Sequence, residues 1–198
     1  MNVFTLFPSL IAKIKVEQHQ ELKKLLVPSL VKQYKDNPDL ELPWARWANT
    51  WNINTNISGN LGFRKYVDEW MQHFNYPKIN YDIAYWTNIH EWYHYQEVHT
   101  HMTNNTFLSG IYYAQFDKDD RPVEFINPKD QALTYTTEVL GKKLEHPFFQ
   151  KYSTDTGLTI QEGDLLLFTP DCRHFVPSSK DKHDRLRITL SFNAHKIK

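Results

Sequence analysis

A β-sandwich or jelly roll with α-helices packed outside it is the fold this sequence predicts, and three observations carry the prediction. Apolar residues at helical spacing occur before Tyr81, at Leu22, Leu25, Leu26, Leu30 and Val31 and again at Tyr66, Val67, Trp70, Met71 and Phe74. From Tyr81 onward the runs are short, rich in aromatic and β-branched residues, and punctuated late in the chain by Gly157, Gly163, Asp164 and Pro170. The 12 Phe, 11 Tyr and 6 Trp are spread along the chain, as side chains that supply a core usually are. Helices first and many short strands afterwards is the order that leaves helices outside a β core.

Taken in order, residues 3–7 read as an opening strand ended by Pro8. Residues 17–34 read as a helix, in which Pro28 and Ser29 allow two pieces because proline lacks the N–H that the turn needs. The Asn-, Trp- and Gly-rich stretch 44–62 reads as strand and loop, and 63–74 as a second helix whose aromatic stripe faces the core. "YDIAYWTNIHEWYHYQ", "TFLSGIYYAQF" and the short "VEFIN", closed by Pro128, read as strands. "DLLLFT" reads as a fully buried strand, and "RLRITLSFN" alternates as a half-buried one does. No repeat, low-complexity tract or linker divides the chain. Its 198 residues suit one domain, with 1–80 as helical and strand support and 81–198 as the jelly-roll core.

Composition narrows the function. Lys+Arg and Asp+Glu are both 23, so the basic footprint that nucleic-acid binding needs is missing. The single cysteine, Cys172, excludes an internal disulfide and fits a reducing compartment. The opening residues lack a basic segment followed by a long apolar run, and no apolar stretch approaches membrane-spanning length. A cytoplasmic protein with no membrane partner is the expectation.

One cluster carries chemistry. In "QEVHTHMTNN" the strand alternation sends Glu97, His99 and His101 to one face. Two same-face histidines are weak evidence alone. At the other end of the chain, "DLLLFTPDCRHFV" places His174 after a buried strand and a turn, and Arg185 and Arg187 open the next strand. A histidine pair meets a distant histidine only when their strands are neighbours in a rolled sheet, which is the geometry of a mononuclear metal site in a jelly roll. His19, His73, His146, His183 and His195 sit in polar settings and read as ordinary hydrogen-bonding residues. His90 and His94, beside Trp92, Tyr93 and Tyr95, read as packing residues that could also line a pocket wall. Cys172 reads as a half-buried thiol despite its neighbour Arg173.

These segments resemble the Fe(II)- and 2-oxoglutarate-dependent dioxygenases, in particular a prolyl-hydroxylase-like branch of bacterial and phage 2-oxoglutarate-Fe(II) oxygenases. "FTLFPSLI" is similar to the branch's start, "YWTNIH" to its Trp-x-Asn strand, and "HTHMTNNTFLSGIYY" to its His-x-His followed by Ser-Gly-x-Tyr-Tyr. "FINPKD" resembles its Asp-Pro-Arg turn, "LLLFTPDCRH" the strand leading to the distal histidine, and "RITLSFN" its closing strand. The resemblance implies a double-stranded β-helix, Fe(II) and 2-oxoglutarate as cofactors, O2 as co-substrate, and hydroxylation coupled to decarboxylation of 2-oxoglutarate to succinate.

It also implies a site. The superfamily holds iron by two histidines and one carboxylate. His99 matches the first histidine and His174 the distal one, while position 101 is histidine where a carboxylate is usual. The branch's His-x-His makes His99, His101 and His174 the expected ligands, with Glu97 as the reserve carboxylate. The remote carboxylate of 2-oxoglutarate calls for an arginine, whose planar fork grips a carboxylate with two hydrogen bonds. Arg187 fits the register of the closing strand, with Ser191 on the same face, and Arg185 fits the usual histidine-to-arginine spacing. The other arginine is expected at the surface, paired with Asp181 or Asp184. Tyr113 matches a phenol that bonds the same carboxylate, and Asn88 is placed near the co-substrate; strand packing is the plain alternative for both.

Two other readings remain open on the residues alone. One is a cupin-type three-histidine dioxygenase that uses no 2-oxoglutarate, and the other is a jelly-roll binding module without chemistry. Trp44, Trp47, Trp51 and Trp92 are candidates to wall the pocket of the prime substrate, a peptide or protein residue or a small molecule.

Overall fold

A computed structural model describes Met1 and residues 9–37, 51–54, 61–103, 105–142 and 144–197, with only the backbone described for 51–54. The opening strand expected at 3–7, and Trp44, Trp47 and the side chain of Trp51, lie outside the described residues. The described strands are β1 (Ile11–Lys15), β2 (Trp51–Asn54), β3 (Tyr81–His90), β4 (Gln96–His99), β5 (Thr106–Gln115), β6 (Glu124–Phe125), β7 (Asp164–Phe168), β8 (His174–Val176) and β9 (Arg187–Lys196). The helices are α1 (His19–Asp36), α2 (Arg64–His73) and α3 (Asp130–Leu140), with two short 3-10 turns after α3. A six-stranded sheet runs β1-β7-β5-β9-β3-β2 and a three-stranded one β4-β8-β6, with antiparallel pairing throughout. This is the mainly β, jelly-roll architecture that the alternation and turn signals predict.

Alternation along the large sheet gives it two different faces. Leu108, Tyr112 and Ala114 of β5, Leu165 and Leu167 of β7, and Ile188, Leu190, Phe192 and Ala194 of β9 join Leu22, Leu26 and Leu30 of α1 and Tyr66, Val67 and Trp70 of α2 in one core. The opposite face sends Ile111, Tyr113, Leu166 and Phe168 into a second core with Val123, Phe125, Cys172 and Val176. On this same side the cavity-facing positions turn polar in β3 and β9, at Asn88, His90, Arg187, Thr189 and Ser191, all buried. A buried strand carrying polar groups on one face needs partners there, and the sheet thereby supplies a polar chamber backed by an apolar core.

Phe192 lies across β5 directly opposite Gly110, where a Cβ would fall inside the contact radius of the ring. Gly110→Ala is therefore expected to destabilise the fold by about 1–3 kcal/mol through overpacking. Its denaturation midpoint should fall; an unchanged midpoint would contradict this placement of Phe192.

Three elements differ from the sequence expectation: α1, α3 and β1, which follows Pro8. α1 runs unbroken through Pro28, because Pro28 and Lys24 lie on the exposed side, where the carbonyl that loses its donor can bond water. α3 was not anticipated. It buries no residue, so no apolar stripe marks it, and its Thr134 and Thr136 look strand-like. Their hydroxyls bond back to the Asp130 and Ala132 carbonyls at 2.9 Å, and Gly141 ends the helix at φ 60. Among the described residues no helix is long and apolar enough to cross a membrane.

Candidate active site

β4 and β8 pair so that His99 stands opposite His174, after a register shift that follows the Gln96–Val176 pair. His101 is not on the strand as alternation had it. β4 ends at His99, and the backbone N–H of His101 donates to the Pro170 carbonyl at 2.8 Å, tying this segment to the turn before β8. The irregular path still converges the three rings. One nitrogen from each of His99, His101 and His174 lies within 4.8 Å of the others, and Nε2 of His101 stands 3.3 Å from Nε2 of His174. Two nitrogens bound at right angles to one metal, at about 2.1 Å each, would be about 3.0 Å apart.

The backbone prepares two of the rings for a metal. Nδ1 of His99 donates to the Glu97 carbonyl and Nδ1 of His174 to that of Cys172, both at 2.8 Å, so the proton sits on Nδ1 and Nε2 keeps its lone pair. Asn193 hydrogen-bonds His101, and its Oδ1 accepts from Ser109 Oγ at 2.7 Å. Burial, then the nearby His99, draws His101 down to about 4 and His174 to about 3, so both are neutral imidazoles at physiological pH. Trp86 stacks on His101 at 5.7 Å, and Phe125 and Phe168 flank His174 at 5.7 and 5.0 Å, shielding the cluster with apolar rings. Convergent lone pairs, two fixed tautomers and a half-buried setting backed by aromatic rings fit a divalent transition metal. Glu97 is not among the clustered ligand atoms.

The same cavity is lined by Asn88, Tyr113, Arg187, Thr189 and Ser191. The two candidate arginines separate cleanly here. Arg187 is 5% exposed, and its guanidinium donates to Nδ1 of His90 and to the Arg121 carbonyl. The side chain of Arg185 is 45% exposed and pairs with Asp117 at 3.6 Å and Asp119 at 3.4 Å, rather than with Asp181 or Asp184. Burial draws Arg187 down to about 10, which leaves it charged at neutral pH. Both of its hydrogen-bond acceptors are neutral and its Nε has no partner among the described residues. The buried Asp120 carboxylate favours the guanidinium's charge from nearby without a hydrogen bond to it, and the unpartnered donor leaves room for an anion in the cavity. The Asn88 amide donates to Ser191 Oγ at 3.0 Å, and the Tyr113 hydroxyl accepts from the Val123 N–H at 3.1 Å. Burial raises Tyr113 to about 12, so its phenol keeps a proton to donate.

A family described as "Putative 2OG-Fe(II) oxygenase" matches residues 84–193, which spans both ends of the cavity and more than half of the chain. The chain belongs to this family. Its cofactors are therefore Fe(II) and 2-oxoglutarate, and it is an oxygenase. The cupin-type three-histidine alternative, which would use no 2-oxoglutarate, falls with that assignment. Solved structures share the fold: a Pseudomonas putida prolyl-4-hydroxylase at TM-score 0.61 and 9% identity, over 96% of this chain and 94% of that one. HygX from Streptomyces hygroscopicus, crystallised with nickel and 2-oxoglutarate, aligns at TM-score 0.59 and 9% identity over 95% of this chain and 83% of that one. The epimerase SnoN from nogalamycin biosynthesis aligns at 0.56 and 10%, over 95% and 78%. No curated protein matches the chain in sequence.

Of the histidines read as packing residues, His90 lines the cavity and holds Arg187. Sequence reasoning missed that role. The available signal was strand parity: His90 shares its face with Asn88, and only the pairing of β3 with β9 sets it opposite Arg187. Trp92 packs against Tyr93 at 5.5 Å, and among the described residues Trp86, the tryptophan of the Trp-x-Asn strand and not one of the four expected to wall the substrate pocket, is the tryptophan at the cavity.

Proposed function

We propose that this chain is an Fe(II)- and 2-oxoglutarate-dependent hydroxylase, in which His99, His101 and His174 hold the iron and Arg187 binds the remote carboxylate of 2-oxoglutarate. The observation that carries the reading is the joint placement, in one cavity, of three convergent imidazoles and a buried guanidinium with only neutral hydrogen-bond partners. With O2, bound iron and 2-oxoglutarate supply the oxidising chemistry, releasing succinate and CO2 and placing one oxygen atom in the substrate. The chain's own residues bind, orient and exclude water. His99 and His174 are aimed by backbone carbonyls, Phe125 and Phe168 shield His174, and the Asn88–Ser191 pair and Tyr113 present polar groups toward the co-substrate. Three imidazoles add no negative charge, so the dianionic co-substrate is the group that balances the metal.

The whole chain acts as one catalytic domain in this account, and the one buried thiol, Cys172, supports a reducing, cytoplasmic setting. The prime substrate is a peptide side chain or a small molecule. HygX has been crystallised with hygromycin B and SnoN with nogalamycin RO, whereas the P. putida neighbour is a prolyl hydroxylase, so the substrate screen spans both classes. Incubating the Fe(II)-loaded protein with 2-oxoglutarate and pools of peptides, amino acids and aminoglycosides should yield succinate together with a product heavier by one oxygen. Succinate formed without any oxygenated product from every pool would count against hydroxylation.

His101→Asp provides a test of the ligand set. A carboxylate at this position adds negative charge on the cation and makes the two-histidine, one-carboxylate triad. Iron binding measured by anaerobic titration should be kept or strengthened. Complete loss of metal from the folded variant would remove His101 from the ligand set.

A further inference from the structure

We infer that the chain carries a second small-molecule site, separate from the metal cavity, which takes an organic anion with an apolar ring or aliphatic body. A cavity of about 390 Å³ lies between β1, the end of β6, the two 3-10 turns and the turn before β8, and its size is that of a small-molecule site. It shares no lining residue with the metal cavity. Phe125, whose ring is 5.7 Å from that of His174, stands between this space and the histidine cluster. The floor reaches the second core, since Phe125 and Cys172 line it and are 5% and 6% exposed. Hydrogen bonds within the protein hold the walls in place. The Asn127 side-chain amide donates to the Phe148 and Gln150 carbonyls at 3.3 and 3.1 Å, and that of Gln150 donates to the Leu144 carbonyl at 2.8 Å.

Ile11, Phe125, Phe148, Tyr152 and Leu158 give the cavity an apolar lining, and its charged residues are Lys129, Lys151, Arg173 and Asp171, all exposed. Three cations thus face one acid. Arg173 is turned toward Asp130 at 3.7 Å, but neither lysine forms an ion pair among the described residues. Nζ of Lys129 lies over the Phe148 ring at 5.3 Å and Nζ of Lys151 over the Tyr152 ring at 5.2 Å, so each ammonium stands beside an aromatic surface of the same cavity. Glu124, the acid next to Phe125 in the chain, does not line this space; its carboxylate accepts from Ser153 and Thr154. A compact apolar body would leave water by packing on the rings and Leu158, while a carboxylate, sulfonate or phosphate at its end would meet the two unpaired ammoniums. A ligand amine would meet like charge instead.

The test uses two fluorescent probes that brighten in apolar surroundings: 8-anilinonaphthalene-1-sulfonate, a ring-bodied anion, and N-phenyl-1-naphthylamine, which has the same rings and no charge. Each is titrated into the anaerobic protein with Fe(II), in the presence and absence of 2-oxoglutarate. The sulfonate should bind saturably, at one equivalent, whether or not 2-oxoglutarate is present. Replacing both lysines, Lys129→Gln with Lys151→Gln, should weaken the sulfonate about three- to tenfold, as for loss of two exposed charge contacts, and the neutral probe by less than about twofold. Phe148→Ala, at a ring that is 44% exposed, should weaken both probes. Absence of saturable sulfonate binding overturns the inference, and so does its displacement by 2-oxoglutarate, which would put the probe in the metal cavity. An equal response of the two probes to the lysine changes, or unchanged affinity of both in Phe148→Ala, overturns it as well.

Discussion

His174→Ala is expected to abolish iron binding in a protein that remains folded. His174 is the only one of the three clustered histidines contributed by β8, and without it the site keeps two ligands from a single segment, His99 and His101. Two neutral imidazoles give neither the chelation nor the facial geometry that an octahedral ion requires. Changes to groups that merely orient ligands typically cost 10- to 100-fold in metal affinity, so loss of a ligand should exceed about 100-fold. Anaerobic Fe(II) titration of the variant, with circular dichroism as the check on folding, reads this directly. Near-stoichiometric iron in the folded variant would remove His174 from the centre.

Arg187→Ala is expected to weaken 2-oxoglutarate binding by about two orders of magnitude, or ~3 kcal/mol, because a buried carboxylate would lose its charged partner. Iron binding should be little changed, since Arg187 contacts His90 and Arg121 and is not among the clustered ligand atoms. Arg185→Ala should change affinity by less than about threefold, as expected for an exposed ion pair. Arg187→Lys should recover only part of the loss, because an ammonium keeps the charge without the planar fork. Titration calorimetry on the iron-loaded variants separates these outcomes, and a larger loss for Arg185→Ala would move the anion site to that residue.

Much of this was legible because period-2 alternation acts locally. β9 declares its alternation in its own residues, β5 and β7 declare short buried apolar runs, and the stripe Tyr66, Val67, Trp70, Met71 declares α2. The histidines could be paired across the chain because a jelly roll brings β4 beside β8. What alternation could not give was the route of His101, which leaves the strand and is held by the Pro170 carbonyl, a long-range bond with no local signature. Nor could it choose between Arg185 and Arg187, which have the same parity. Burial chose, and burial depends on where β9 begins, with Arg187 as its first residue. α3 escaped for the opposite reason: an element that buries nothing leaves no pattern, and its threonines are stabilised by bonds to their own helix. β1 was missed for another reason: the opening strand was ended at Pro8, and "IAKIK" after it is only five residues long.

The central claim, that one cavity holds iron on three imidazoles and 2-oxoglutarate on Arg187, is tested most directly by titrating 2-oxoglutarate into the anaerobic protein with and without Fe(II). The account predicts one equivalent of each bound, with 2-oxoglutarate held much more tightly when iron is present, since the two oxygens of its 2-oxo acid head then gain a metal contact in addition to Arg187. Iron uptake with no 2-oxoglutarate binding, or 2-oxoglutarate affinity indifferent to iron, would contradict it.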